Sequence, residues 1–370
     1  MLTALEYAAA GRLRLAASCL EQHLETAPED FLAAKIAHAL RFMLGDRSEM
    51  LRLTADLVAK APHHGAGYGF LLGCHAFGLE ECGHFAEAEA AGRDAVAREP
   101  ADSWGLHAVS HVFEMTGRVD EGREWLSASR AVWSRCNNFS FHMAWHLALL
   151  QLETGDHDAV LAIYDEDIRP VQTDDFRDMS NAVSMLWRLE QEGVDVGDRW
   201  AGLNEIAHRR RADTTYVFAS LHYLLALIAS GDMNAAEELV EAMRRRRMDD
   251  CDQARVAKYI GVPVAEALIR MPGQCARTGP CLIEMARRLQ AMGGSHAQRD
   301  VFLRSLMAVA IRSQDYPSLR AICALRREQR HEDRFQQAIL ARLDGRPVQS
   351  PPFWPRRAPD HDHTALGRLI

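Results

Sequence analysis

Two short segments of the sequence each carry a pair of histidines. The segment WGLHAVSHVFEM contains His107, His111 and Glu114, and the segment FSFHMAWHLALLQLE contains His142 and His146. Within each pair the histidines are four residues apart, which places both imidazoles on the same face of a helix, one turn apart. Each segment is therefore predicted to present two imidazoles to one neighbouring site, and the first segment adds a carboxylate.

Such a set of side chains supports two kinds of chemistry. Imidazoles and a carboxylate are ligands that Zn²⁺ accepts, and a catalytic zinc keeps one position open for water. Fe is a second candidate metal, although di-iron sites use mainly Glu with Glu-x-x-His spacing, and only Glu114 is available. The zincin motif HExxH is absent. In the alternative interpretation, the histidines and tryptophans such as Trp145 form hydrogen bonds and stack as an ordered groove wall, or the histidines are partly buried structural residues.

The elements that position these residues follow from an internal repeat. Similar segments begin at glycines spaced 34 or 38 residues apart, namely Gly11, Gly45, Gly83, Gly117, Gly155, Gly193 and Gly231. A proline lies 17 residues after each of the first three glycines, and a last copy around Asp315 lacks the glycine. A period of about 34 residues, with Gly at an internal turn and Pro after the second helix, is typical of tetratricopeptide repeats.

The repeat predicts an all-α fold, a tetratricopeptide-like superhelix (α-solenoid) of helical hairpins. One continuous domain is expected over residues 1–346, with regular repeats over about 1–248 and degenerate repeats over 249–346. Residues 347–370 are expected to form a proline-rich tail. A helix pair cannot bury its apolar face alone and stacks on its neighbours. The first helices of adjacent repeats, including those with the histidine pairs, are therefore expected to line one concave groove.

Further polar side chains fall in the same register. Counted back from the turn glycine, Trp187 and His222 occupy positions in later repeats that correspond to those of paired histidines, and Arg188 is adjacent to Trp187. In the segment GGSHAQRD, a predicted Ser–Gln capping box leaves His296, Arg299 and Asp300 to face the groove. The candidate ligand-binding residues are His107, His111, Glu114, His142, Trp145, His146, Trp187, Arg188, His222, His296 and Arg299.

Four motifs in a fixed order resemble a known family. HAVSHVFEMTGRVDEG, FHMAWHLALLQLETGDHDAVLAIYD, SMLWRLEQEGVDVGDRW and GGSHAQRDVF are similar to the tetratricopeptide repeat protein 38 family. The similarity runs from about Leu5 to near Arg346. The resemblance implies an all-α repeat protein and carries over no established general activity. It singles out most of the polar positions that the spacing of the residues had already indicated.

Composition and charge exclude several classes of function. The 370 residues include 43 Lys and Arg against 51 Asp and Glu, and the net charge of −8 leaves no global basic field for nucleic acid. No stretch approaches the apolar length of a membrane span. The eight cysteines form no CxxC pair, so reduced thiols and a cytoplasmic location are expected.

The leading hypothesis for function is a cytoplasmic binding module. Its concave groove is expected to hold a peptide, a protein segment or a small polar ligand, with His, Trp, Glu and Arg side chains supplying specificity. The alternative is an enzyme that uses the same pocket with a divalent metal such as Zn or Fe, bound by His107, His111, His142, His146 and Glu114. A scaffold that assembles partners through its outer face is a third hypothesis. Ligand, reaction and oligomeric state are left open.

Overall fold

The computed structural model describes residues 1–63, 65, 67–269 and 279–344, with residues 279–281 described by their backbone alone. All regular structure in this part of the chain is helical, which confirms the predicted all-α class. No described helix combines the length and the apolar character needed to cross a membrane. The predicted tail of residues 347–370 lies outside the described residues.

The N-terminal half of the chain forms a series of helices joined by short turns. These helices are α1 (Leu2–Ala9), α2 (Leu13–Leu24), α3 (Phe31–Met43), α4 (Arg47–Lys60), α5 (Tyr68–Glu81), α6 (Phe85–Arg98), α7 (Ser103–Thr116), α8 (Val119–Ala128), α9 (Arg130–Trp133), α10 (Phe139–Thr154) and α11 (His157–Ile163). A π-helical turn over Tyr164–Ile168 extends α11. Successive helices in this half contact one another.

The remaining described residues continue the helical pattern with less regular spacing. They form α12 (Phe176–Gln191), α13 (Trp200–Arg209), α14 (Val217–Ala229), α15 (Met233–Arg246), α16 (Asp252–Val256), α17 (Val262–Ile269), α18 (Gly279–Arg288), α19 (His296–Arg312), α20 (Tyr316–Arg327) and α21 (Arg334–Leu343). A second π-helical turn, Ala257–Gly261, joins α16 to α17.

The turns of the hairpins coincide with the repeated glycines. All seven of these glycines have φ between 67° and 85°, a left-handed conformation that costs glycine little because it has no Cβ. The last copy of the repeat lacks the glycine, and there Gln314 takes φ 56° between α19 and α20. Gln314 is the only non-glycine residue with positive φ in the described part of the chain. The backbone turn is therefore kept where the glycine has been lost.

The other predicted helix signals also correspond to helix ends. Pro28, Pro62 and Pro100 follow α2, α4 and α6 within four residues, because proline has no N–H group and cannot continue a helix. The predicted capping box is present at the start of α19. The Ser295 side chain accepts a hydrogen bond from the N–H group of Gln298, whose side chain accepts one from the N–H group of Ser295.

Apolar side chains are buried in one large cluster, a smaller N-terminal one and a third group of four residues, Met50, Ala76, Phe77 and Ala108. The large cluster extends from Leu106 to Ile339, and the N-terminal cluster extends from Ala4 to Ala95. In the large cluster α19 packs against α7 and α12. Fourteen of the seventeen residues of α19 are buried. The C-terminal region thus lies against the helices that carry the histidine pairs.

Hydrogen bonds also tie the turn ends of the first five hairpins to later parts of the chain. These bonds, here called the closing contacts, run from Asp252 N–H to the Gly11 carbonyl (3.1 Å), from the Gln290 side chain to the Gly45 carbonyl (3.2 Å), from His296 N–H to the Glu81 carboxylate (2.7 Å), from His331 N–H to the Met115 carbonyl (2.8 Å) and from Arg334 N–H to the Glu153 carboxylate (3.3 Å). Residues of the C-terminal half therefore cover successive turns of the N-terminal half in chain order.

Candidate metal centre

The two histidine pairs meet between α7 and α10. Nε2 of His107 lies 3.1 Å from Nε2 of His111, 3.0 Å from Nε2 of His142 and 3.1 Å from Nε2 of His146. The Nε2 atoms of His142 and His146 are 3.3 Å apart. One nitrogen of each ring therefore points to a common centre, as the spacing within each helix had predicted. We call this group the four-histidine centre.

Two of the four rings form a hydrogen bond to an acceptor through the other nitrogen, and a third lies near a carboxylate. Nδ1 of His146 donates to the Glu114 carboxylate at 3.0 Å, and Nδ1 of His142 donates to the side-chain oxygen of Asn181 at 3.0 Å. Nδ1 of His111 lies 3.5 Å from the Glu80 carboxylate and forms no hydrogen bond with it. Nδ1 of His107 has no partner among the described residues.

These partners determine where the protons sit. A carboxylate or an amide oxygen only accepts, so the ring nitrogen that faces it carries the proton in a neutral imidazole. The Nε2 atoms of His142 and His146 are then unprotonated, and their lone pairs face the shared centre. In its neutral form His111, whose Nδ1 lies 3.5 Å from Glu80, would present its Nε2 lone pair in the same way. Lone pairs held about 3 Å apart repel unless a proton or a cation lies between them, and one proton cannot serve all four nitrogens.

The size of the centre matches a tetrahedral metal ion. Zn²⁺ binds imidazole nitrogens at about 2.0–2.1 Å, which places the four nitrogens of a regular tetrahedron about 3.3–3.4 Å apart. Four of the six separations are 3.0–3.3 Å, close to these edges, and the ligand atoms of the four residues all lie within 4.8 Å of one another. The rings would need only small shifts to bind such an ion. The residue types, the geometry and the acceptors at Nδ1 all fit a first-row divalent metal, with the acceptors orienting the ligands.

Aromatic side chains surround the centre. Trp145 stacks on His142 with 5.3 Å between ring centroids, and Phe77 stacks on His107 at 5.4 Å. His107 is 2% exposed, and His111 and His146 are 0% exposed. His142 is half-buried and is therefore the member of the group nearest to solvent. The groove residues predicted from the sequence are thus packed in the interior, because α19 covers α7 and aromatic rings fill the spaces between the helices.

Burial also sets the charge of the ligands. It lowers the pKa of His107, His142 and His146 well below the ordinary histidine value, and repulsion from neighbouring imidazoles lowers it further. These rings are therefore neutral at physiological pH, as metal ligands must be. For His111, burial acts in the same direction, but the Glu80 carboxylate outweighs it and raises the pKa.

Two buried carboxylates supply negative charge beside the centre. Burial raises the pKa of Glu80, and His111 partly offsets the rise. Burial likewise raises the pKa of Glu114, with Arg330 as the main opposing influence. Both oxygens of Glu80 lack a hydrogen-bond partner among the described residues. A divalent cation at the centre would favour the ionised form of both carboxylates. The two carboxylates would in turn offset part of the positive charge of the ion.

The structure brings some of the other predicted residues to this region and leaves others outside it. Trp145 belongs to the wall of the centre. Arg188 lies 5.6 Å from the Trp145 ring and donates to the carbonyl of Ala297. Trp187 donates to Ser305 of α19 at 2.9 Å. Both side chains are fully buried and join α12 to α19, behind the four-histidine centre and not within it.

His222, His296 and Arg299 do not point to the shared centre. His222 donates to the Phe218 carbonyl at 2.8 Å and packs against Phe302. His296 donates through its backbone, and Arg299 through its guanidinium at 3.1 Å, to the carboxylate of Glu81. Because Glu81 already accepts these bonds, the acidic pair Glu80–Glu81 serves better to orient His111 than to hold a second ion.

Sequence reasoning missed Glu80 and Asn181. Glu80 stands three residues before Gly83, as Glu114 does before Gly117, so the repeat register could have indicated it. Asn181 lies on α12, 39 residues after His142, and its residue type gives no such signal. A search for known families adds no assignment, since no family model matches this chain.

Two buried histidines outside the centre predict a pH dependence of stability. Burial lowers the pKa of His38 and of His222 to about 3, whereas an unfolded histidine titrates near 6.5. The unfolded chain therefore binds more protons between these values, and folding stability decreases as pH falls below about 6.5. Each of the two histidines should therefore lower the free energy of unfolding by about 2 kcal/mol at pH 5, relative to its value above pH 7.

Urea denaturation of the metal-free protein at pH 7.5 and pH 5 measures this loss. His222→Gln retains a donor for the Phe218 carbonyl but cannot be protonated, so its stability should fall less with pH than that of the wild type. The exposed His84→Gln is the matched control and should show the wild-type dependence. If His222→Gln and the wild type lost the same free energy of unfolding between pH 7.5 and pH 5, His222 would not be a neutral, buried histidine.

Proposed function

We propose that this protein is a metalloprotein that binds one divalent transition-metal ion, Zn²⁺ first, through His107, His111, His142 and His146. The observation that carries the proposal is the convergence of four Nε2 atoms, while the opposite nitrogens of His142 and His146 are hydrogen-bonded to acceptors and that of His111 lies 3.5 Å from a carboxylate. Buried polar atoms that only pack are normally paired one with another, and this arrangement instead leaves unprotonated nitrogens facing each other.

The geometry favours a structural role for the ion. Four nitrogen ligands complete a tetrahedral zinc site, as in structural centres, whereas catalytic centres keep one position for water. The ligands come from α7 and α10, so the ion joins two neighbouring hairpins. A peptide in a groove formed by these residues is less well supported, because three of the four histidines are at most 2% exposed.

A metal-dependent enzyme is the second candidate, and one observation favours it. His142 is half-buried, so its displacement would open a fourth position toward solvent while three buried imidazoles retain the ion. Three protein ligands and water are the arrangement of catalytic zinc. The two candidates differ in whether an added ligand reaches the metal. Azide added to Co²⁺-loaded protein should change its visible spectrum only if a position is open.

We further propose that the hairpins form a tetratricopeptide-like superhelix related to the tetratricopeptide repeat protein 38 family, located in the cytoplasm. Glycines in left-handed turns at steps of 34 or 38 residues support the repeat. The six described cysteines are all free, which suits a reducing compartment.

Elemental analysis tests the metal proposal. The protein is purified without a metal-affinity tag and without added metal, and we expect about one Zn per chain. After removal of the metal, Co²⁺ should restore one equivalent with the strong visible absorption of a tetrahedral site. His222→Gln is the matched control, because it removes a buried histidine outside the centre and should keep full metal content. Protein that contains no metal and that takes up neither Zn²⁺ nor Co²⁺ would overturn the proposal.

A further inference from the structure

A large cavity lies beside the first helical hairpin. Its volume is about 1320 Å³, and it is lined by the turn between α1 and α2, by the segments before α12 and after α15, and by residues of α13 and α14. Pockets for small ligands commonly have volumes of about 300–1,000 Å³. The four-histidine centre contributes no residue to the described lining. The cavity is therefore a separate place with room for a small molecule.

One face of α14 and the residue before it form the inner wall. Tyr216, Ala219 and Tyr223 line the cavity, and their spacing of three and four residues places them on one side of the helix. Tyr223 is 1% exposed, and its hydroxyl group has no hydrogen-bond partner among the described residues. A buried phenol normally has such a partner, so this hydroxyl is available to a bound molecule.

Gln253 provides a second buried donor. Its side-chain oxygen accepts a hydrogen bond from the N–H group of Val217 at 2.9 Å. This bond fixes the orientation of the amide, because the NH₂ group cannot accept. Gln253 lines the cavity and is 2% exposed, and its NH₂ group has no partner among the described residues. The chain therefore places two unpartnered polar groups in the wall of one cavity.

Two arginines extend this set of donors. Arg210 and Arg246 line the cavity, and the Nε–H group of each is buried without a partner in the described structure. Their terminal nitrogens are held by Asp213 and Asp249, each at 3.0 Å. All four unpartnered groups can donate a hydrogen bond. The complementary ligand group is therefore rich in acceptor oxygens, and a carboxylate fits this requirement.

The other charged residues that line the cavity are mainly acidic. Acidic residues outnumber arginines by six to three, and they are Asp174, Asp175, Glu205, Asp213, Asp249 and Asp250. Four of the six, Asp174, Glu205, Asp249 and Asp250, are exposed. Five of the six pair with arginines: Asp174 and Asp213 with Arg210, Asp175 with Arg177, Asp249 with Arg246 and Asp250 with Arg12. Glu205 forms no ion pair in the described structure, so it is the carboxylate that remains to attract a cationic group. The cavity thus combines donors at its wall with one exposed carboxylate, Glu205, that has no cationic partner among the described residues.

We propose that this cavity binds a small zwitterion of the amino-acid type. The carboxylate accepts hydrogen bonds from Tyr223 and Gln253 at the inner wall, and the ammonium group faces the carboxylate of Glu205. The first hairpin borders the site and is held there by an ion pair of 2.7 Å between Arg12 and Asp250. The proposal is independent of the metal centre.

Isothermal titration calorimetry on the full chain tests the ligand class. The probes are L-glutamine and glycylglycine as zwitterions, with propionate and ethylamine as analogues that carry one of the two charges. We expect both zwitterions to bind with Kd below about 1 mM and each single-charge analogue to bind at least about tenfold more weakly. Absence of binding by both zwitterions at about 10 mM would show that the cavity holds only water, and equal binding of a single-charge analogue would show that the ligand class is wrong. Either result overturns the proposal.

A matched pair of variants locates the site. Tyr223→Phe removes one hydroxyl and should weaken zwitterion binding about tenfold, the loss of one hydrogen bond, while the melting temperature without ligand stays the same or rises. Tyr164→Phe is the control, because the Tyr164 hydroxyl is also buried without a described partner but lies outside the cavity lining. Equal affinities of Tyr223→Phe and the wild type would place the ligand elsewhere and overturn the assignment.

Discussion

Replacing His107 with alanine is expected to leave the purified protein without the metal ion that we propose it binds. Nε2 of His107 lies 3.0–3.1 Å from the Nε2 atoms of the other three histidines, so the substitution removes the ligand that adjoins all the others. Loss of an outer partner of a metal ligand already costs about 10–100-fold in affinity, and loss of a ligand costs more. Metal content should fall from about one ion per chain to less than about a tenth.

The response to a chelator separates loss of metal from loss of packing. A ligand present at 1,000 times its Kd stabilises the folded state by about 4 kcal/mol. Removal of the ion by a chelator should therefore lower the Tm of the wild type by about 5 °C for a chain of this length. His107→Ala should not respond to the chelator, and His222→Gln should respond as the wild type does. A His107→Ala protein that retains a full equivalent of metal would contradict the four-histidine centre.

Replacing Arg326 with methionine is expected to destabilise the protein by about 3–5 kcal/mol, the usual cost of breaking a buried ion pair by removing one partner. Arg326 is 0% exposed and donates to the carboxylates of Asp300 and Asp333, and also to the side-chain oxygen of Gln336 at 3.1 Å. Methionine fills a similar volume but supplies no charge. Two buried carboxylates then lose their main partner, although Arg330 remains nearby.

The pH dependence of this loss provides a second readout. Burial alone would raise the pKa of Asp300, but Arg326 outweighs it and holds the pKa at about 2. The same guanidinium lowers the pKa of Asp333. Without Arg326 both pKa values rise, so lowering the pH protonates the carboxylates and relieves part of their repulsion. The stability difference between wild type and Arg326→Met should therefore shrink between pH 7.5 and pH 5.

The neighbouring Arg327 provides the control. Its side chain is 53% exposed and pairs with Glu332 at 3.4 Å, and exposed pairs of this kind contribute about 0–1 kcal/mol. Arg327→Met should therefore unfold close to the wild-type urea concentration. An Arg326→Met protein within about 1 kcal/mol of the wild type would show that the buried carboxylates do not depend on this arginine.

Local signals in the sequence were sufficient to predict the hairpin turns and the meeting of the four histidines. Glycine at a fixed step predicts a left-handed turn because the backbone conformation excludes most other residues, and the seven glycines all adopt it. Histidines four residues apart share a helix face whatever surrounds the helix. Adjacent hairpins then bring His107 and His142 together. Each of these inferences depends on spacing within one helix or between neighbouring repeats.

Contacts between distant parts of the chain could not be inferred in this way. His222 has the same register as His146, but it lies on α14 and pairs with its own backbone. Register fixes a position within a repeat and does not determine which repeats meet. His296 reaches Glu81 across 215 residues, a contact that depends on how the C-terminal helices pack over the earlier ones. A single repeat carries no information about that packing.

The closing contacts change how the repeats respond to damage. In an open array each unit touches only its neighbours, so end units fray independently and whole units can be removed or added. Here residues 250–252 hold the first turn, and residues 331–334 hold the fourth and fifth turns. Opening either half exposes the buried surface of the other. The chain therefore gives up the modularity of a repeat protein and is expected to unfold as one cooperative unit.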